Sequence, residues 1–178
     1  MVLCYWQYDK TKNISIKISQ SQILATELAF NPNDTSFISI CGSKVFKTYR
    51  LAENTEDSTN KTNVLKALSQ QISGTPTDLS NNYSCHCWLT VDSKVIVGTE
   101  GGEIICLNNL CEFEEALKNS PANLLKNSWN VHCITSYSKG FIIGGDFCQV
   151  FIYKYFEDVD GVKKWDVTHQ MQVRKVYK

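Results

Sequence analysis

An all-β fold is what this sequence predicts, and three observations predict it. Two stretches, "KVIVGTEGGEIICL" (residues 94–107) and "GFIIGGDFCQVFIYKY" (residues 140–155), are near copies of one another. Each is an apolar run rich in Val and Ile, a break at glycine (Gly98, Gly144), a few turn residues and a second apolar run. A third copy, "TSFISICGSKVFKTYRL" (residues 35–51), breaks at Gly42 and then alternates, with Val45, Lys47, Tyr49 and Leu51 on one face and Phe46, Thr48 and Arg50 on the other. Finally, another apolar segment stands before each copy: "LATELAFN" (24–31), "YSCHCWLT" (83–90) and "NVHCITSY" (130–137). β-Branched and aromatic side chains fit a pleated, half-buried surface, and glycine is expected to supply turn angles that other residues resist. Each copy therefore reads as a hairpin with a further strand in front, joined through "PND" (32–34), "VDS" (91–93) or "SK" (138–139).

The marker glycines Gly42, Gly98 and Gly144 set the repeat at 56 and then 46 residues. Multi-stranded repeats of ~40–45 residues are the mark of a β-propeller, whose blades are four-stranded sheets. The expected architecture is a WD40-like β-propeller fragment of about three four-stranded blades. In chain order, residues 1–20 read as the final strand of a preceding blade and a connector, with "VLCYWQYDK" as that strand. Residues 21–75 form a blade with a polar insert at 52–63, too hydrophilic to bury anything and best read as a surface loop. Residues 76–118 form the next blade, and 119–178 the last, with a C-terminal outer strand. Outer strands are placed at "VLKALSQQIS" (64–73) and "KWDVTHQMQV" (164–173). The segment at 112–128 carries Phe113, Ala116 and Leu117 at a spacing that suggests a helical turn or two before Pro121.

Composition narrows the function classes. Lys plus Arg and Asp plus Glu both number 18, so the chain as a whole has no electrostatic bias towards nucleic acid or anionic membrane. No apolar run approaches the ~20 residues of a membrane span, and "MVLCYWQYDK" lacks the pattern of a signal peptide. A cytosolic setting is expected, in which the sequons at Asn13, Asn33, Asn60 and Asn82 are chance matches.

Several motifs invite chemistry and fail on spacing. Cys85 and Cys87, with His132 and Cys133, suggest zinc, but a Cys-x-Cys pair is closer than zinc spacing. In a strand Cys85 and Cys87 point to one face and His86 to the other. The eight cysteines read instead as small buried hydrophobes. "GTEGGE" (98–103) lacks the Lys-Ser/Thr and helix of a phosphate cradle. "DVDG" (158–161) lacks the later ligands of a calcium loop. A cysteine nucleophile needs an orienting histidine; Cys133 beside His132 faces away from it, which leaves a cross-blade pair such as His86 with Cys133. Trp165-Asp166 is the dipeptide that names WD repeats, but it falls outside the third strand, where Tyr155 and Phe156 stand; Trp165 is expected to pack in an outer strand. No catalytic, cofactor-binding or metal-ligating residue is assigned, no cofactor is expected, and no individual interaction residue is singled out.

The wording of the repeats adds a resemblance. "AFNPND" (29–34), "VFKTYRLAE" (45–53), "NYSCHCWL" (82–89), "KVIVGTEGGEI" (94–104) and "SYSKGF" (136–141) occur in this order in the WD-repeat family of cilia- and flagella-associated proteins, and the likeness covers about residues 2–155. The resemblance implies seven-bladed propellers followed by a long coiled coil, a place in the ciliary axoneme near the inner dynein arms, and a role in regulating dynein. It carries over no catalytic residue. Three blades do not close a ring of ~4–8, so the missing blades are expected from the rest of a longer chain or from a partner. The function expected is a non-enzymatic scaffold of the motile cilium, with axonemal partners such as inner dynein arm or tether components, no nucleic acid and no membrane. The alternative is a general cytosolic WD-repeat adaptor for trafficking or ubiquitin ligase assembly, since one fold serves both.

Overall fold

The computed structural model describes residues 2–6, 13–17, 24–54, 62–69, 72, 74–76, 79–125, 129–157, 159–160 and 163–173. Fourteen strands form among them. β1 (Val2–Trp6) and β2 (Asn13–Lys17) pair antiparallel as a two-stranded sheet, where the sequence suggested a single strand. Three four-stranded antiparallel sheets follow in chain order. The first holds β3 (Ala25–Asn31), β4 (Asp34–Gly42), β5 (Val45–Asn54) and β6 (Thr62–Ser69). The second holds β7 (Tyr83–Trp88), β8 (Val95–Thr99), β9 (Ile104–Leu107) and β10 (Phe113–Ala116). A short helix, α1 (Pro121–Leu125), leads to the third: β11 (Val131–Tyr137), β12 (Gly140–Gly145), β13 (Gln149–Glu157) and β14 (Lys163–Gln172). Most of the polar insert at 52–63 lies outside the described residues, as do Asn60, Asp158 and Gly161.

The first strands of the sheets meet one another: β3 lies against β7, and β7 against β11. Sheets joined at their first strands and stacked face to face are the arrangement of propeller blades. Two cores fill the gaps between them. Phe37, Cys41 and Phe46 of the first sheet meet Trp88, Val97 and Ile105 of the second. Cys85, Cys87, Ile96 and Ile104 on the other face of the second sheet meet Val131, Phe141 and Phe151 of the third. The second sheet is thus buried on both faces, which is why "VIV" and "IICL" are continuous apolar runs: a strand with no solvent side has no reason to alternate. In the first sheet the alternation read at 45–51 holds, with Phe46 in the inter-sheet core and Tyr49 and Leu51 in a smaller cluster on the opposite face.

Two expectations are corrected. Phe113 to Ala116 is the fourth strand of the second sheet, and the helix begins at Pro121 instead of ending before it. The cause is a register shift between Phe113 and Glu115, which sets Phe113 opposite Leu107 and Ala116 opposite Ile105. The bulge brings residues three apart onto one sheet face and so imitates helical spacing. Proline then suits the first helical position, where its missing N–H is no loss.

The marker glycines also act differently from the expectation. Gly102 in the β8–β9 turn has φ of 80°, but Gly42, Gly98 and Gly144 do not lie in the left-handed region. Gly98 is paired within its strand to Cys85 and Ile104, and a Cβ there would lie 2.6 Å from Val131 Cγ1 of the third sheet. It is small so that β11 can approach. Gly98→Val is expected to cost about 1–3 kcal/mol by overpacking this joint, whereas Gly101→Ala, whose Cβ would meet the Glu103 carboxylate at 3.4 Å and Thr99 Oγ1 at 3.6 Å, is expected to cost less. Urea unfolding of the two variants checks the ordering.

Trp165 stands as expected in the outer strand β14, where its ring packs 5.1 Å from Phe141 and 4.5 Å from Tyr155.

Candidate functional site

Alternation along two strands builds a polar cluster inside the first core. On β4, Ser39 and Cys41 are two residues apart and share the face turned to the second sheet. On β7, His86 and Trp88 share the face turned back to the first, while Cys85 and Cys87 enter the other core. Trp88 Nε1 donates to Ser39 Oγ at 2.7 Å, and Ser39 Oγ lies 2.6 Å from His86 Nε2. The other ring nitrogen, His86 Nδ1, lies 3.2 Å from Cys41 Sγ and 3.3 Å from Glu27 Oε2. Glu27 reaches in from β3 and also accepts the His86 backbone N–H at 2.5 Å. The Phe46 ring closes the cluster edge-on to His86 at 5.7 Å.

Every polar group here has a partner. One complete assignment has Trp88 donating to Ser39, Ser39 to His86 Nε2, and the Nδ1–H to Glu27. Burial pushes the Glu27 carboxyl up, yet the side-chain and backbone hydrogen bonds from His86 outweigh it and hold the group below its ordinary value. Burial pushes the Cys41 thiol up to about 12, only partly opposed by a hydrogen bond from Thr26.

Serine, histidine and carboxylate in this sequence of contacts match the order of a hydrolase relay. The accessibility differs. Ser39 is 0% exposed and His86 1%, so no substrate carbonyl reaches the hydroxyl, which is already held by Trp88. The cluster ties three strands of two sheets together, and a buried, fully paired polar network rigidifies what it joins.

The residues weighed from sequence do not converge. His132 and Cys133 are both exposed, because a register shift between Val131 and Cys133 breaks the alternation of β11. His132 Nε2 is 2.7 Å from Asp146 Oδ1, and Cys133 Sγ points to Gly144 O at 3.8 Å. His86 is committed to Ser39 and not to Cys133. Nor are all the cysteines buried: Cys41, Cys85, Cys87, Cys106 and Cys111 are, whereas Cys133 and Cys148 are exposed.

A second polar group lies at the far end of β12. Asp146 accepts the Asn130 backbone N–H at 2.9 Å and its side-chain amide at 2.8 Å, and its backbone carbonyl accepts Trp129 Nε1 at 3.0 Å. The Asn130 amide and then His132 hold the Asp146 carboxyl below its ordinary value. These bonds brace the 3-10 turn Asp146–Cys148, which presents Phe147 outward at φ 58° and 68% exposure.

Four-stranded sheets joined at their first strands and clamped between faces define a β-propeller module. The fold of two solved propellers agrees: the β-propeller domain of Cps50 (Swd1) from Myceliophteria thermophila superposes with a TM-score of 0.66 at 10% identity, covering 97% of this chain and 52% of that one. Hsv2 of Kluyvelomyces marxianus superposes with a TM-score of 0.55 at 12% identity, covering 92% and 50%. No protein-family model matches the chain. In sequence it is similar to cilia- and flagella-associated protein 57 A of Tetrahymena thermophila, 31% identical over 89% of this chain. Protein 57 C of the same organism is 24% identical over 90%, and protein 57 of Mus musculus 34% identical over 57%. The chain spans 12%, 15% and 7% of the length of these relatives.

Proposed function

We propose that this chain is a non-enzymatic scaffold segment of a cilium or flagellum, seated on the axoneme at the cytoplasmic side. The observation that carries the reading is the similarity to protein 57 A over 89% of the chain, since the solved propellers speak to the fold alone. The chemistry is consistent with it. The one relay-like group among the described residues is sealed in a core, while side chains able to meet a protein partner stand on braced loops and inner strands, such as Phe147 and Phe30. Rigid sheets present these loops, and binding follows from their shape and apolar tips. Partners are then other axonemal proteins, with inner dynein arm or tether components as the specific proposal. The remaining blades of the ring come from the rest of a longer chain or from a partner, in keeping with coverage of about half of a solved propeller domain.

Extraction of axonemes from ciliated cells, followed by mass spectrometry and chemical cross-linking, tests this. Peptides of the chain are expected to be enriched in the axonemal fraction and cross-linked to inner-arm components. Recovery from the soluble cytosol alone would overturn the ciliary reading and favour a general adaptor.

A further inference from the structure

We propose that Glu27, Cys41 and His86 form a zinc site that staples the first sheet to the second. A carboxylate oxygen, a thiol sulfur and an imidazole nitrogen, from β3, β4 and β7 respectively, all lie within 4.8 Å of one another. Among the described residues this is the group of metal-capable side chains so arranged. The ligand set weighed from sequence contained Cys85 and Cys87, which sit in the other core.

The separations fit the ion. With Zn–S of ~2.3 Å and Zn–N or Zn–O of ~2.0–2.2 Å, ligand atoms at tetrahedral angles stand ~3.3–3.6 Å apart. His86 Nδ1 is 3.2 Å from Cys41 Sγ and 3.3 Å from Glu27 Oε2, within a few tenths of an ångström of those edges. The third edge, Cys41 Sγ to the Glu27 carboxylate, lies within 4.8 Å and closes by a turn of the half-exposed Glu27 side chain. One sulfur, one nitrogen and one oxygen suit a borderline-soft ion and exclude the all-oxygen preferences of calcium and magnesium.

The surroundings meet the further demands of such a site. A ligating histidine normally has its second nitrogen held by a hydrogen bond, and here Ser39 holds Nε2 at 2.6 Å. With zinc on Nδ1 the ring proton resides on Nε2 and is donated to Ser39 Oγ. That oxygen has two lone pairs, one for His86 and one for Trp88. The serine hydrogen then turns to Ala29 O, 3.4 Å away. Ser39, His86 and Trp88 each keep their partners, so this network has a complete pattern in the metal-bound state as well. On binding, the Cys41 S–H bond is replaced by S–Zn and one proton leaves to solvent; thiolate and carboxylate neutralise the charge of the ion. Access runs past Thr26, which is exposed and whose Oγ1 lies 3.8 Å from Cys41 Sγ, and past the Glu27 side chain, itself 36% exposed. A water would complete the four ligands of the ion.

The test is independent of the ciliary reading and uses cobalt and zinc on the purified full chain after dialysis against a chelator. One equivalent of Co²⁺ is expected to bind with a thiolate-to-cobalt charge-transfer band, and one equivalent of Zn²⁺ to displace it and raise the melting temperature. Cys41→Ser is expected to abolish the band, while Cys85→Ser, altered on the opposite face of the second sheet, retains it. Glu27→Gln keeps an acceptor for the His86 amide and serves where Cys41→Ser fails to fold; it is expected to weaken zinc at least ~10-fold. Failure of the native chain to bind either metal stoichiometrically would overturn the site, as would an intact band in Cys41→Ser or unchanged affinity in Glu27→Gln.

Discussion

Trp129→Ala is expected to lose about 3–5 kcal/mol of unfolding free energy, the range for emptying a buried aromatic site. Trp129 is 0% exposed in the core between the second and third sheets. Its ring meets Phe151 edge-on at 5.5 Å, a contact that adds about 0.5–1.5 kcal/mol beyond area burial. Its Nε1 donates to Asp146 O at 3.0 Å, so truncation also strips a partner from the turn that presents Phe147. Collapse into the hole is hindered because β12 is already pressed against backbone that the substitution leaves in place: a Cβ on Gly145 would overlap the Asn130 carbonyl oxygen. Against a typical total of about 5–15 kcal/mol, the loss is a large share of what holds the fold. Trp129→Phe, which keeps much of the ring and loses the donor, is expected to fall between the two. Urea unfolding followed by tryptophan-independent far-UV dichroism measures both, and a loss below about 1 kcal/mol for the alanine variant would contradict the assigned packing.

The rhythm of strands was legible because it is local. Runs such as "FISI", "VIVGT" and "GFIIGG" between turn residues specify strands whatever surrounds them, and all three proved to be second strands of their sheets. What escaped depended on register or on neighbouring sheets. The bulge at Phe113 and Glu115 has no signature in residue type, so the spacing of Phe113 and Ala116 was read with the wrong period. Gly98 looked like a turn former because glycine has two uses, and only the position of Val131 decides that close approach is the one in force. The face of His86 was readable from alternation alone. Its partners were not, since Ser39 and Cys41 lie more than forty residues away and Glu27 further still, and nothing in one sequence says which blade faces touch. Cys133 was expected inside for the same reason that His132 was expected to face away from it: both inferences assume an unbroken strand, and β11 has a bulge there.

Ser39→Ala is expected to cost about 2–4 kcal/mol although it deletes a single oxygen. The hydroxyl is the shared partner of Trp88 Nε1 at 2.7 Å and His86 Nε2 at 2.6 Å, and all three side chains are buried. Alanine keeps the strand and its Cβ but leaves two polar nitrogens in a core without water, each worth about 1–3 kcal/mol when stranded. The cost then belongs to the orphaned partners and not to the lost contact, which a double-mutant cycle separates. Trp88→Phe removes one orphan while keeping an aromatic ring beside Phe37, so Ser39→Ala with Trp88→Phe is expected to be less destabilised than the two single variants added together. The coupling should be of order 0.5–3 kcal/mol. It should also persist in the presence of a chelator, because the bond from Trp88 to Ser39 does not involve Glu27 or Cys41. Additive losses would mean that serine and tryptophan act separately, leaving the contacts of His86 with Ser39 and Glu27 as the polar ties of this cluster between the two sheets.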